Sequence, residues 1–215
     1  MARTALIAGS TGLIGSLLLP KLLASPAYDR VVAVTRRPLA LSHPKLSNPP
    51  SDFEHLGQLG AQLAADDVYC CLGTTTAKAG GQAGLERVDY HMVVDLARSA
   101  RAAGARQFVV VSAVGAALRS PAFYSRVKAR MERSVAEAGY ATVHILRPSL
   151  LLGARQEARL AEDIAQKVSP LLSPLFIGRL SQYRPVQAEQ VADAMLTLAL
   201  RPSSGVHIHH YPFID

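Results

Sequence analysis

Five short apolar runs recur along the chain without polar residues alternating through them: Thr4–Ala8, Val31–Thr35, Val68–Leu72, Phe108–Ser112 and Thr142–Leu146. Runs of this kind suit strands buried on both faces, as in a parallel sheet. Helical spacing fills the intervals, over Leu13–Ala24, Gln82–Ala103, Ala122–Gly139, Glu157–Val168 and Ala188–Leu200. Gly104 and Gly139 stand where helices close. The alternation predicts an α/β fold with a mainly parallel sheet, right-handed crossovers and helices on both faces.

Three stretches are less patterned. Pro38–Ser51 holds prolines at 38, 44, 49 and 50 and reads as a loop with at most a short strand. Asp52–Ala65 is a poorly marked helix, and Thr74–Gly84, rich in glycine, threonine and alanine, reads as a mobile loop. No repeat and no long linker divides the chain. One domain over 1–215 is expected, with 153–183 as a small, largely apolar substrate-side segment.

Composition narrows the class. Of 215 residues, 49% are hydrophobic and 18% charged, enough apolar surface for a core and too much for a disordered chain. Two cysteines exclude a disulfide scaffold. No apolar stretch reaches membrane-spanning length, and the opening apolar run is too short for a signal peptide, so a cytoplasmic protein is expected. The formal charge is +7, and arginine outnumbers lysine 18 to 5. Such a surface serves nucleic acid, a phosphorylated ligand or solubility alike. With 6% aromatics and no tryptophan, stacking platforms are scarce and nucleic-acid binding is disfavoured.

Between the first strand and the first helix lies Gly9-Ser10-Thr11-Gly12-Leu13-Ile14-Gly15. The first glycine turns tightly out of the strand, the second lets backbone approach a pyrophosphate, and the third lets the helix pack on the sheet. The helix N-terminus then offers partial positive charge to phosphates. This is a dinucleotide-binding signature, and the fold becomes a Rossmann-like doubly wound one. About 20 residues on, where an acid would bond a ribose 2′-hydroxyl, the chain reads Thr35-Arg36-Arg37-Pro38. Two guanidiniums suit a 2′-phosphate, which favours NADP (NADPH) over NAD.

Tyr124 and Lys128, four apart, share one helix face. An ammonium beside a phenol favours the phenolate, and the pair is expected to lower the tyrosine's pKa and make it an acid/base group. Ser112, at the end of the fourth run, is expected to hold a carbonyl oxygen beside it.

GSTGLIG, VVVSAVGA, YSRVK and LRPSLLLG follow one another as in the short-chain dehydrogenases/reductases, which the chain resembles from about Thr4 to Leu200. With CCLGTT and SAVGA it resembles more narrowly the atypical, compact branch of Tat-interacting-protein-like NADPH-binding proteins and their small bacterial relatives. The resemblance implies that Gly9, Ser10, Thr11, Gly12, Leu13, Ile14 and Gly15 hold the cofactor phosphates and that Arg36 and Arg37 take the 2′-phosphate. It implies that Cys71, Leu72 and Gly73 pass under the adenosine and ribose. Lys128 would also bond the nicotinamide ribose, and Pro148, Ser149, Leu150 and Leu151 would border the carboxamide. The asparagine that many relatives carry in the helix before Ser112 is not evident; Asp89 is the nearest candidate.

Other features read plainly. Cys70 and Cys71, adjacent on a strand, face opposite ways and lack further metal ligands. His207, His209 and His210 form a surface edge strand rather than a metal site. Arg126, Arg130 and Arg133 make a solvated or subunit-facing stripe, which leaves room for a homodimer. The expected function is an NADPH-dependent reductase or dehydrogenase acting on a small carbonyl or hydroxyl compound through Ser112, Tyr124 and Lys128. The alternative is a non-catalytic NADPH-binding regulator or interaction module.

Overall fold

The structure, a computed structural model, describes residues 3–152 and 182–214. The expected helix Glu157–Val168 and nearly all of the 153–183 segment lie outside the described residues. Strands run β1 Thr4–Ala8, β2 Arg30–Val34, β3 Leu46–Ser47, β4 Asp67–Cys70, β5 Gln107–Val111, β6 Thr142–Leu146, β7 Leu151–Leu152, β8 Val186–Gln187 and β9 Gly205–His209. The helices are α1 Gly15–Ala24, α2 Thr76–Ala79, α3 Gln82–Glu86, α4 Met92–Ala102, α5 Phe123–Ala136 and α6 Ala188–Leu200.

Among the described residues, seven strands form one sheet in the order β3-β2-β1-β4-β5-β6-β9, every neighbouring pair parallel. Strands β7 and β8 make a separate parallel pair. This is the Rossmann-like architecture expected. Alternate residues of each strand feed two cores. Ala5, Ile7, Val31, Ala33, Tyr69, Val109 and Val111 pack under α1 and α6. Leu6, Ala8, Val32, Val34, Val68, Cys70, Phe108 and Val110 pack under α4 and α5. Burial on both faces explains why the runs carry no polar alternation. Cys70 joins the second core while Cys71 packs against the first, so the two cysteines do face opposite ways.

The chain reverses its direction of travel across the sheet between β1 and β4, since β2 and β3 lie on one side of β1 and β4 to β6 on the other. Loops leaving the C-terminal ends of β1 and β4 therefore diverge and open a crevice.

The helix expected over Gln82–Ala103 is present as one continuous run from Gln82 to Ala102, in which α3 and α4 are joined by a wider π-type turn, Arg87–His91, that holds the fully buried Asp89. Two expectations are corrected. Thr74–Gly84, expected as a mobile loop, contains α2, whose start is capped by Thr75 Oγ1 accepting from the Lys78 N–H. Asp52–Ala65 forms not an α-helix but 3-10 turns over Leu56–Leu63, broken at Gly60.

Candidate active site

The turn after β1 is built on backbone contacts. Gly9 has φ 82°, and a Cβ there would come within 2.6 Å of the Cys71 carbonyl group, so only glycine lets this turn pass the end of β4. The Gly12 N–H donates to the Gly9 carbonyl oxygen at 3.0 Å and closes the turn. A Cβ on Gly15 would overlap that same oxygen, which is how α1 comes to pack directly on the strand end. No side chain caps α1 and no acid occupies its first turn, so its positive end is uncompensated. Ser10 Oγ is buried with no hydrogen-bond partner among the described residues.

A cavity of about 970 Å3 opens from this turn. Gly9, Thr11, Gly12, Arg36, Arg37, Cys71, Leu72 and Gly73, all expected at a cofactor, line it. Ser10, Leu13, Ile14 and Gly15 do not. Ser10, Ile14 and Gly15 are buried behind the turn, and Leu13 packs against the core. Pro148, Ser149 and Leu150 also stand off the wall. The Pro148 carbonyl accepts from the Val114 N–H at 2.8 Å, Ser149 Oγ donates to the Arg184 carbonyl, and the Leu150 carbonyl accepts from the Val186 N–H at 2.9 Å. The opposite wall was missed by sequence reasoning. It comprises Asp52, Phe53, Thr74 and Lys78 from the weakly patterned stretches, with Arg87, Val88 and Met92 from the expected helix. Phe53, 4% exposed at φ 68°, is the one non-glycine residue with positive φ among the described residues. Arg87 pairs with Glu54 across this wall.

After β4 the cavity is lined by Gly73. A Cβ built there would lie 3.4 Å from Asp89 Oδ1 and 4.0 Å from Lys128 Nζ. Lys128 is buried. Its Nζ lies 2.8 Å from Asp89 Oδ1 and donates to the Val111 carbonyl oxygen at 3.3 Å. Asp89 Oδ2 accepts from the Thr74 N–H at 2.9 Å. The ammonium stands 5.9 Å from the centre of the Tyr124 ring, on the shared α5 face that the four-residue spacing foretold.

The charges act otherwise than expected on the phenol. Tyr124 is 38% exposed, but the protein around its ring still raises its pKa; Lys128 pulls it down and Asp89 pushes it up, and the net direction is upward. The expected lowering by Lys128 is present but outweighed. For Lys128, burial opposes the charge, but Tyr124 and Asp89 more than offset it, so the ammonium stays protonated. Burial pushes the Cys70 thiol up to about 12, consistent with an inert core residue.

Ser112 is corrected. Its hydroxyl, buried at the end of β5, donates to Glu132 Oε1 at 2.5 Å. Glu132 in turn receives Arg147 through two bonds, Nε to Oε1 at 2.9 Å and Nη2 to Oε2 at 2.6 Å. A hydroxyl has one proton, and a substrate carbonyl oxygen needs a donor. In this arrangement Ser112 fastens α5 to the ends of β5 and β6.

His207 and His209 lie on the expected edge strand, and His210 follows it. Strand β9 is the sheet edge, with Val206 and Ile208 half exposed. His144 Nδ1 and His209 Nε2 are 2.9 Å apart, and His144 Nε2 lies 3.1 Å from Ser203 Oγ. No cluster among the described residues is suited to a metal ion.

The profile of the NAD dependent epimerase/dehydratase family matches residues 5–212. The chain belongs to this family. Epimerase/dehydratase-family relatives include protein fmp52, mitochondrial, of Aspergillus clavatus, 34% identical over 212 residues that cover 95% of this chain and 90% of that one. Protein HTATIP2 of Rattus norvegicus is 34% identical over 212 residues, covering 94% and 84%. The resemblance to the atypical short-chain dehydrogenase/reductase branch is thus borne out. Among solved structures, MoeE5 in complex with UDP-glucuronic acid and NAD superposes with a TM-score of 0.71 at 19% identity, over 96% of this chain and 75% of that one. The UDP-glucose 4-epimerase of Thermotoga maritima gives 0.67 at 16% identity, over 96% and 76%. These two establish the fold. Membership in the epimerase/dehydratase family brings a nucleotide-binding, oxidoreductase-type function and a small-molecule substrate. The expected cytoplasmic location does not stand: fmp52 of Aspergillus clavatus and FMP52 of Candida albicans are both named mitochondrial. Among the described residues, no helix is long and apolar enough to cross a membrane.

Proposed function

We propose that this protein is an NADPH-dependent oxidoreductase acting on a small carbonyl or hydroxyl compound, with Tyr124 as its acid/base group. The observation that carries the reading is the continuity of one cavity. Its lining spans Arg36 and Arg37 after β2, the Gly9–Gly12 turn after β1, and Gly73 after β4, where a Cβ would lie 4.0 Å from Lys128 Nζ. The residues fit a dinucleotide. The turn supplies a close backbone approach, the uncompensated end of α1 favours phosphate, and Ser10 Oγ is an unpartnered polar atom beside them.

A nicotinamide cofactor supplies hydride transfer when bound. The chain supplies the rest. Arg36 and Arg37 offer two guanidiniums to a 2′-phosphate at the end of β2. Lys128, kept charged by Asp89 and Tyr124, holds a positive potential against the phenol and has donor capacity toward a ribose hydroxyl. Tyr124 Oη, protonated near neutrality as a phenol, donates a proton to the developing alkoxide in reduction, and its phenolate accepts one in the reverse direction. Ser112, at the end of β5, anchors α5 to the sheet through Glu132. The test is titration with NADPH and NADH, then a carbonyl panel followed by loss of reduced nicotinamide absorbance. Preference for NADPH with turnover of one class supports the reading; equal or no binding overturns it.

The Ser112–Glu132 bond favours a second reading, a cofactor-binding regulator, because it removes a donor from the site. Pull-downs with and without NADPH discriminate: a partner set that changes with NADPH, in the absence of turnover, supports regulation.

A further inference from the structure

At the C-terminal end of β2 the backbone outruns its neighbour, because β3 stops after Ser47. The next residue continues the ladder with its side chain. Asn48 Nδ2 donates to the Ala33 carbonyl oxygen at 2.5 Å and to Thr35 Oγ1 at 2.8 Å. Asn48 Oδ1 accepts from the Leu39 N–H at 2.7 Å. Thr35, buried, gives its own proton to the Arg37 carbonyl oxygen at 2.7 Å. The Ser51 N–H closes the set on the Thr35 carbonyl oxygen at 2.8 Å.

One amide thus grips the chain before and after Arg36-Arg37-Pro38, and through Thr35 it pins the middle. Both amine hydrogens and the carbonyl of Asn48 are used, so neither an aspartate nor an alanine can replace it. Arg36 and Arg37 line the cavity with exposed, long side chains. A guanidinium that closes on a phosphate loses rotamer freedom. If its backbone were also loose, a second ordering cost would fall on the same event. Asn48 itself does not line the cavity.

We propose that Asn48, acting through Thr35, is the positioning residue that sets the preference for a 2′-phosphorylated adenosine over its 2′-hydroxyl counterpart. The proposal rests on the assignment of Arg36 and Arg37 made above. A ligand with a free 2′-hydroxyl draws little from those guanidiniums and is indifferent to how firmly their backbone is held.

The test measures NADPH and NADH dissociation constants and thermal unfolding for the wild type, Asn48→Ala, Thr35→Val and the double variant Arg36→Ala/Arg37→Ala. Asn48→Ala is expected to weaken NADPH about tenfold and NADH less than about twofold. Thr35→Val, which keeps the volume and loses the relay, is expected to shift the ratio in the same sense by about threefold, and it decides the matter should Asn48→Ala not fold. A purely structural Asn48 would lower the melting temperature and weaken both dinucleotides by one factor, which overturns the proposal. So does an unchanged NADPH to NADH ratio in Asn48→Ala and Thr35→Val while the arginine variant loses it. An arginine variant that keeps the wild-type ratio removes the underlying assignment instead.

Discussion

Lys128 Nζ stands 2.8 Å from Asp89 Oδ1, with 3% of the lysine side chain and none of the aspartate's exposed. A charge pair at this depth survives only because each partner compensates the other's lost hydration. Asp89→Ala strands a buried ammonium and is expected to cost about 3 kcal/mol of stability by denaturant unfolding. Asp89→Asn keeps the shape and removes the anion that pushes the Tyr124 phenol up. Its phenol pKa therefore falls, and the pH–rate profile of any activity moves to lower pH. An unmoved profile would separate Asp89 from the site.

Gly15→Ala is expected to destabilise the fold by about 2 kcal/mol and to weaken dinucleotide binding, because the added methyl overlaps the Gly9 carbonyl oxygen. Thermal unfolding and cofactor titration read the two effects separately. Gly57→Ala, where a Cβ meets nothing within 4 Å, serves as the tolerant control.

Glu132 links three elements through Ser112 and Arg147. Glu132→Ala leaves the mostly buried Arg147 without its bidentate partner and is expected to cost about 3 kcal/mol. Ser112→Ala loses one charge-assisted bond, about 1.5 kcal/mol by denaturant unfolding, and leaves NADPH affinity unchanged. Its turnover is expected to fall less than about tenfold, since the hydroxyl's proton is spent on Glu132. A loss as deep as that of Tyr124→Phe would restore Ser112 to the reacting atoms.

Burial, with His209 and His207 nearby, holds His144 down at about 4, whereas in the unfolded chain it titrates near 6.5. Between these values the unfolded state binds more protons, so stability rises with pH through the window and is lost as pH falls. The loss amounts to about 3 kcal/mol from pH 6.5 to 4. Melting temperatures across that range should fall more steeply for the wild type than for His144→Gln.

The strands were legible because burial on both faces writes a continuous apolar run, and β1 and β6 match their expected limits residue for residue. Helix α6 does too. The glycine turn was legible because backbone crowding at Gly9 and Gly15 excludes any side chain. What escaped depends on contacts distant in sequence. Asp89 is turned inward by a π-type turn, and Lys128 meets it 39 residues later, so neither local spacing nor propensity records the pair. The direction of the Ser112 hydroxyl depends on a carboxylate one helical turn beyond Lys128. The wall formed by Asp52, Phe53, Lys78 and Arg87 comes from the loop before the 3-10 turns, from the four-residue α2 and from the π-type turn, each below the length at which periodicity speaks.

The central claim, that Tyr124 moves a proton at the end of an NADPH site, is tested most directly by one comparison. NADPH dissociation constants and single-substrate turnover are measured for the wild type and for Tyr124→Phe on the best carbonyl compound from the panel. The expected result is a fall in turnover of at least about a hundredfold with NADPH affinity held within about twofold. Full turnover by Tyr124→Phe would contradict the account.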